Sequence, residues 1–195
     1  MHSPCVALFC ALSVAPIVPA LAQVRAAKTT AASGQLADLI KDWKAQKETL
    51  LKAAEAMPAN QYDYKPTPQQ RTFGEQILHI AIGNVELMSI LGPKRPRPFT
   101  VKMDPTRPIP ESTVNATKAE IIAMLSDAYD FGTAVLNEQT PASINRLLNK
   151  DTVYFGASTR GRVVWSLLSH GMDIYGQMVV YLRLNGIVPP ASRAF

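Results

Sequence analysis

Between Thr159 and Gly186 the chain spaces its apolar residues at a helical period. Val163, Leu167, His170, Ile174, Met178 and Tyr181 follow one another at steps of four and three, and that spacing keeps side chains on one face of an α-helix. Pro189 and Pro190 bar its continuation. A segment of this kind cannot be a strand, in which one face recurs every second residue, and its single apolar stripe has to be covered by other elements.

Three similar segments precede it. Leu36, Leu39, Ile40, Trp43, Leu50, Leu51, Ala54 and Met57 give a long first helix closed by Pro58. After the Pro/Asn/Tyr loop of residues 59–70, Thr72 stands three residues before Glu75, a capping box that opens a second helix reaching about Leu91 before Gly92-Pro93. Its apolar face is Phe73, Ile77, Ile80 and Leu87, and the Ile90-Leu91 end reads as core. Residues 93–115 carry six prolines, a density that no helix or central strand survives, so this is a long crossing loop. Thr117 and Glu120 form a second capping box, followed by the stripe Ile121, Ile122, Leu125, Tyr129, Val135 and Leu136, which ends near Gln139 before Pro141. About twenty irregular residues follow, with a short extended turn expected over 152–156, and the last long helix begins near Thr159 or Arg160. Four long helices with one apolar face each predict an all-α fold, a four-helix bundle with long crossing loops. Trp43, Trp165, Tyr175 and Tyr181 sit at spacings that read as core packing.

The N-terminus has a different character. Residues 1–22 contain no Asp, Glu, Lys or Arg, form an apolar run from Val6 to Pro19, and end in Ala20-Leu21-Ala22. The run is too short and too broken by proline for a membrane span, and its end has the small-x-small form of a secretory cleavage site. A signal peptide over 1–22, a flexible Ala/Thr-rich lead-in over 23–33 and a bundle domain over 34–195 are therefore expected, with export to the periplasm or the medium. Both cysteines, Cys5 and Cys10, and His2 leave with the signal. The remaining chain has no thiol, which excludes disulfides, cysteine nucleophiles and cysteine-ligated metals. It keeps the whole net charge of +5. The tightest basic group, Lys94-Arg95-Pro96-Arg97, is interleaved with proline and reads as a solvated connection, so nucleic acid is not an expected partner. No transmembrane segment is expected after cleavage.

Chemistry concentrates on two histidines, His79 on the second helix and His170 on the last, each at the inner or boundary edge of an apolar face. Facing helices of a bundle bring such side chains together, which is how bundle metal sites are built. Glu75 shares the stripe of His79, one turn earlier, although the capping box by itself accounts for it. Asp173 and Gln177 read as polar partners of the same region. There is no G-x-S-x-G, no phosphate-cradling glycine loop and no H-E-x-x-H.

The segment "RTFGEQILHIA" (71–81), the run Thr159-Arg160-Gly161 through Leu167, Leu168, His170 and Asp173, and the ending "YGQMVVYLRLNGIVPPAS" (175–192) resemble the DinB-like (DinB/YfiT) family, which is distinct from the DNA polymerases that share the name. The resemblance spans about Gln35 to Ser192. It implies a four-helix bundle of the DinB/YfiT type and a divalent metal, often nickel or zinc, held by three histidines: one on the second helix and an H-x-x-x-H pair on the last. His79 matches the first ligand and His170 the second. The third position falls on Ile174, which cannot coordinate a metal, and two neutral imidazoles hold a cation far more weakly than three ligands do. Glu75 is the better-placed substitute, since a carboxylate and two histidines make a common facial set. Asp173 lies about 100° around the helix from Ile174. Two functions stay open: a metal-dependent hydrolase or transferase with weak metal binding, in which the metal activates a nucleophile, and a non-catalytic protein that binds a small molecule after losing the metal. A homodimer through a helix face is expected by analogy alone.

Overall fold

The computed structural model describes residues 20–92, 96–99, 116–148 and 156–194, and of residues 20–33 and 193–194 only the backbone. Residues 1–19, most of the crossing loop and residues 152–155 of the expected extended turn lie outside the described residues. The helices are α1 (Ala20–Ala56), α2 (Phe73–Met88), α3 (Lys118–Asn137), a single turn α4 (Pro141–Ile144) and α5 (Arg160–Leu184), with 3₁₀ turns at Ala59–Gln61 and Pro190–Ala194. Among the described residues there is no strand, only an isolated bridge between Leu147 and Thr159.

Both expected capping boxes form. The Thr72 and Thr117 side chains accept from the amides of Glu75 and Glu120, and each carboxylate returns to the cap amide. Thr140 and Ser143 build a third box that starts α4, hidden from a pattern reading because serine replaces the acidic residue. Over residues 23–33, expected as a flexible lead-in, the backbone is helical and continuous with α1. Its alanines, together with Arg25 and Lys28, are good helix formers.

The four long helices pack α1–α3–α2–α5 around the bundle, with α1 and α2 at opposite corners. Lys47 on α1 meets Asp130 on α3 at 2.7 Å, while Lys118 at the start of α3 donates to Glu55 and Met57 at the end of α1, so these two run antiparallel. Gly74 lies against Ile121 and Gly92 against Val135, so α2 runs parallel to α3. Gly161 lies by Gln35 and Leu168 by Gln46, so α5 runs parallel to α1. The result is an up-down-down-up bundle, in which the end of α2 and the start of α3 lie at opposite ends of the bundle.

Polar groups meet halfway along the otherwise apolar interior. Gln46 on α1 accepts from the Tyr129 phenol at 2.8 Å and donates to the Leu168 carbonyl at 2.7 Å. Trp43 Nε1 donates to the Tyr129 carbonyl at 2.9 Å, with the rings 4.7 Å apart. Asn84 on α2 is buried beside the same phenol, its Nδ2 without a partner, and burial pushes the phenol's pKa far above its usual value. All four long helices contribute. Two glycines make room for it: a Cβ on Gly132 would stand 2.3 Å from the Trp43 ring, and one on Gly171 would stand 2.6 Å from Gln46 Oε1.

Two residues depart from the sequence expectation. Trp165, expected in the core, is 62% exposed, because it lies about 180° around α5 from Ile174 and α1 and α2 cover only the other side. Ile90 is also exposed, whereas Leu91 beside it is buried.

The packing separates two glycine substitutions by sign. Gly132→Ala drives a methyl into Trp43 and should cost about 1–3 kcal/mol. Gly83→Ala on α2 meets nothing within 4 Å and should raise stability by up to about 1 kcal/mol through helix propensity. Urea unfolding of both variants checks the pair, and equal effects would contradict the close approach of α3 to Trp43.

Candidate functional site

The antiparallel contact of α2 and α5 is the face where polar residues interrupt the apolar stripes. Gln76 and His79 stand one turn apart on α2. Opposite them α5 presents Gln177 and Tyr181 at the level of Gln76, and His170 at the level of His79. Gln76 Nε2 donates to Gln177 Oε1 at 2.8 Å and lies 3.5 Å from the Tyr181 hydroxyl. That hydroxyl donates to the Arg71 carbonyl at 2.8 Å, which fastens the end of α5 to the entry of α2. Gln177 in turn donates to Asp173 at 3.4 Å.

His79 and His170 come together as the two stripes predict, their Nε2 atoms 3.1 Å apart. The rings are nearly perpendicular, at 83°, with centroids 5.0 Å apart. Two zinc–nitrogen bonds of about 2.0–2.1 Å spanning the 3.1 Å between the Nε2 atoms would meet at about 100°, within the range of tetrahedral and octahedral centres. Two of the three ligand positions that the resemblance implies are thus brought together.

The third is not. Ile174 is 2% exposed and packed in the core, its branched side chain filling the α5 position that a ligand would need. Glu75 is held in its cap, its carboxylate accepting from the Thr72 amide at 2.6 Å. Asp173 is exposed and paired with Gln177. Among the described residues no group of three His, Cys, Asp or Glu side chains is placed to hold a metal ion.

Electrostatics keeps the pair neutral. Burial lowers the His79 pKa to about 4, with the Arg71 charge and then His170 adding to the effect. Burial also lowers that of His170, against the pull of the Asp173 carboxylate and helped by Arg71. With both rings neutral, one Nε2–H donates and the other accepts, the tautomers being set by this contact. Two polar atoms near the pair stay buried without a partner, Arg71 Nε and Gln76 Oε1. Pattern reading missed Arg71 and Gln76. The available signal was Gln76 itself, an amide inside the buried face of Phe73, Ile77 and Ile80. A groove of about 670 Å³ lies elsewhere, between Asp38, Asp42, Arg162 and Trp165, and includes neither histidine.

The model of the DinB family matches residues 28–194. The chain belongs to the DinB family. Two crystal structures share the DinB fold with it: a DinB-like protein from Bacillus cereus ATCC 10987, with a TM-score of 0.60 at 16% identity, covering 78% of this chain and 93% of that one, and the DinB-like protein YjoA from Bacillus subtilis, with a TM-score of 0.57 at 14% identity, covering 76% and 92%. At such identities they establish the fold alone. No curated protein sequence matches this DinB chain.

The neutral pair gives the folded protein a defined acid sensitivity. The His79 pKa is lowered on folding, so the unfolded chain binds more protons below about pH 6.5 and stability falls as pH drops from there toward 4. Thermal unfolding in metal-free buffer should show this decline, and His79→Gln should flatten it. An unchanged slope in that variant would place the acid sensitivity elsewhere.

Proposed function

We propose that this DinB-family bundle is an exported binding protein in which His79 and His170 form a two-imidazole centre. The centre takes up a divalent transition-metal ion weakly and completes its coordination with a donor atom from an incoming small molecule. The observation that carries this reading is the 3.1 Å approach of the two Nε2 atoms beside a third position closed by Ile174. Export is supported by the uncharged apolar run and small-x-small ending of residues 1–22. A divalent ion bound there supplies Lewis-acid polarisation of the donor it holds, the chemistry of the family's hydrolase and transferase reading. What this chain's own residues do is narrower: two neutral imidazoles offer lone pairs, Gln76 offers a free carbonyl oxygen, and Arg71 makes the surroundings favourable to an anionic ligand.

A second reading is favoured by the same distance. At 3.1 Å the histidines satisfy each other as a hydrogen-bonded pair, and the centre then binds a small molecule without metal. Elemental analysis after dialysis against nickel, zinc and manganese separates the two, with His79→Ala and Ile174→His run alongside. The metal reading expects partial loading of the wild type that disappears in His79→Ala, and at least about tenfold tighter binding in Ile174→His. A wild type that takes up none of the three metals, beside an Ile174→His variant that loads fully, would establish the metal-free reading instead.

A further inference from the structure

Two buried polar atoms on the α2–α5 face have no hydrogen-bond partner among the described residues, and they are opposite in kind. Arg71 Nε is a donor on a group that never loses its charge, and no carboxylate among the described residues pairs with it. Gln76 Oε1 is an acceptor on a side chain that is only 2% exposed. Leaving either unmet is unfavourable away from water, and more so for the charged donor.

The surrounding network fixes which end of the Gln76 amide is bare. The Asp173 carboxylate only accepts, so Gln177 turns its Nε2 toward it, at 3.4 Å, and its Oε1 toward Gln76. Gln76 therefore has to offer Nε2, which it does at 2.8 Å. The Tyr181 hydroxyl directs its proton to the Arg71 carbonyl and has none for Gln76. Every donor of this network is committed, and Gln76 Oε1 accepts from none of them. Arg71 and Gln76 meet at the same tyrosine, whose hydroxyl holds the Arg71 main chain and lies 3.5 Å from Gln76 Nε2. The guanidinium charge lowers the basicity of both imidazoles, which sets it on the histidine side of this face. Arg71, His79, His170 and Gln177 are each half-buried, so a small solute reaches the face from outside.

We propose that this face binds a small hydroxycarboxylate, its carboxylate accepting from Arg71 Nε and its hydroxyl donating to Gln76 Oε1. An anion without a donor leaves the glutamine carbonyl unmet, and a neutral alcohol or amide leaves the guanidinium without a counter-charge. One cation is available and the Asp173 carboxylate stands on the same face, so a singly charged acid fits better than a dianion such as hydrogen phosphate. Like the function proposed above, this takes the His79–His170 centre as a small-molecule site, and it names the class of that molecule. Neither contact runs through a metal.

Nitrogen-15 NMR of the arginine Nε–H groups tests this on metal-free protein, the Arg71 signal being identified by its loss in Arg71→Gln. L- and D-lactate are titrated to about 50 mM, because a ligand this small reaches only modest affinity, with propionate, lactamide and phosphate beside them. One lactate enantiomer is expected to move the Arg71 signal saturably. Propionate, which lacks the hydroxyl, and lactamide, which lacks the charge, should bind at least about tenfold more weakly. By calorimetry, Arg71→Gln should weaken lactate by about the same factor with the fold unchanged, since the carbonyl that holds Tyr181 belongs to the main chain. Gln76→Met keeps the side-chain length and should bind lactate and propionate alike, a loss of preference that a merely structural role would not produce; circular dichroism checks that both variants fold. The absence of a saturable shift with either lactate, a wild type that binds propionate as tightly as lactate, or a Gln76→Met variant that keeps the preference would each overturn the proposal. Phosphate binding tighter than either lactate would overturn it in favour of a general oxyanion site. Nickel uptake by the same preparation separates this outcome from that of the two-imidazole centre. Uptake without lactate binding overturns the hydroxycarboxylate alone, whereas lactate binding by protein that takes up no nickel supports it and removes the metal.

Discussion

The hydrogen bonds that Gln46 makes in the centre of the bundle hold the rest of the structure in place. An apolar interior alone leaves four helices free to slide by a turn at modest cost, because leucine, isoleucine and methionine replace one another readily. A buried amide that accepts from a phenol on one helix and donates to a carbonyl on another admits no such sliding, since a shifted register strands polar groups away from water. Gln46 fixes α1 against α3 through Tyr129 and against α5 through the Leu168 carbonyl. Asn84 sets α2 beside the same phenol without a hydrogen bond from its Nδ2.

The histidine pair depends on that register. His170 lies two residues from the carbonyl that Gln46 holds, and His79 lies five residues before Asn84. The pair is thus built on two rigid helices whose axial positions are set at the polar layer and again by Tyr181 on the Arg71 carbonyl. A two-nitrogen contact at 3.1 Å needs such support, because neither histidine brings more than one hydrogen bond to the other and both resist protonation. Among the described residues the site is a pair, because α5 presents Ile174 one helical turn from His170, where its burial contributes to packing and closes the third position.

Particular residues mark how far the sequence could be read. Thr72 with Glu75 and Thr117 with Glu120 located two helix starts, because a capping box is a local interaction whose participants lie three residues apart. His79 and His170 were legible as a facing pair because helical period fixes which stripe each occupies. Gln46 was invisible, since a lone glutamine on a helix between lysines has no local signature of burial. Trp165 was misplaced for a related reason. Its size suggested the core, and only the arrangement of neighbours decides which side of α5 is covered. The cap role of Glu75 was readable, whereas the unpartnered atoms of Arg71 and Gln76 emerged only once α5 lay against α2.

The sequence by itself determined that this chain forms long one-faced helices, where most of them begin and end, and which two histidines share a bundle face. Those properties come from interactions within a few residues, and they survive in any packing of the helices. The tertiary structure alone decided the up-down-down-up order, the polar layer through Gln46, the approach of the two imidazoles and, among the described residues, the exposed outer face of α5. Each of these depends on which helix lies beside which, an outcome settled by the summed burial of four stripes and the pairing of a few buried polar groups far apart in the chain.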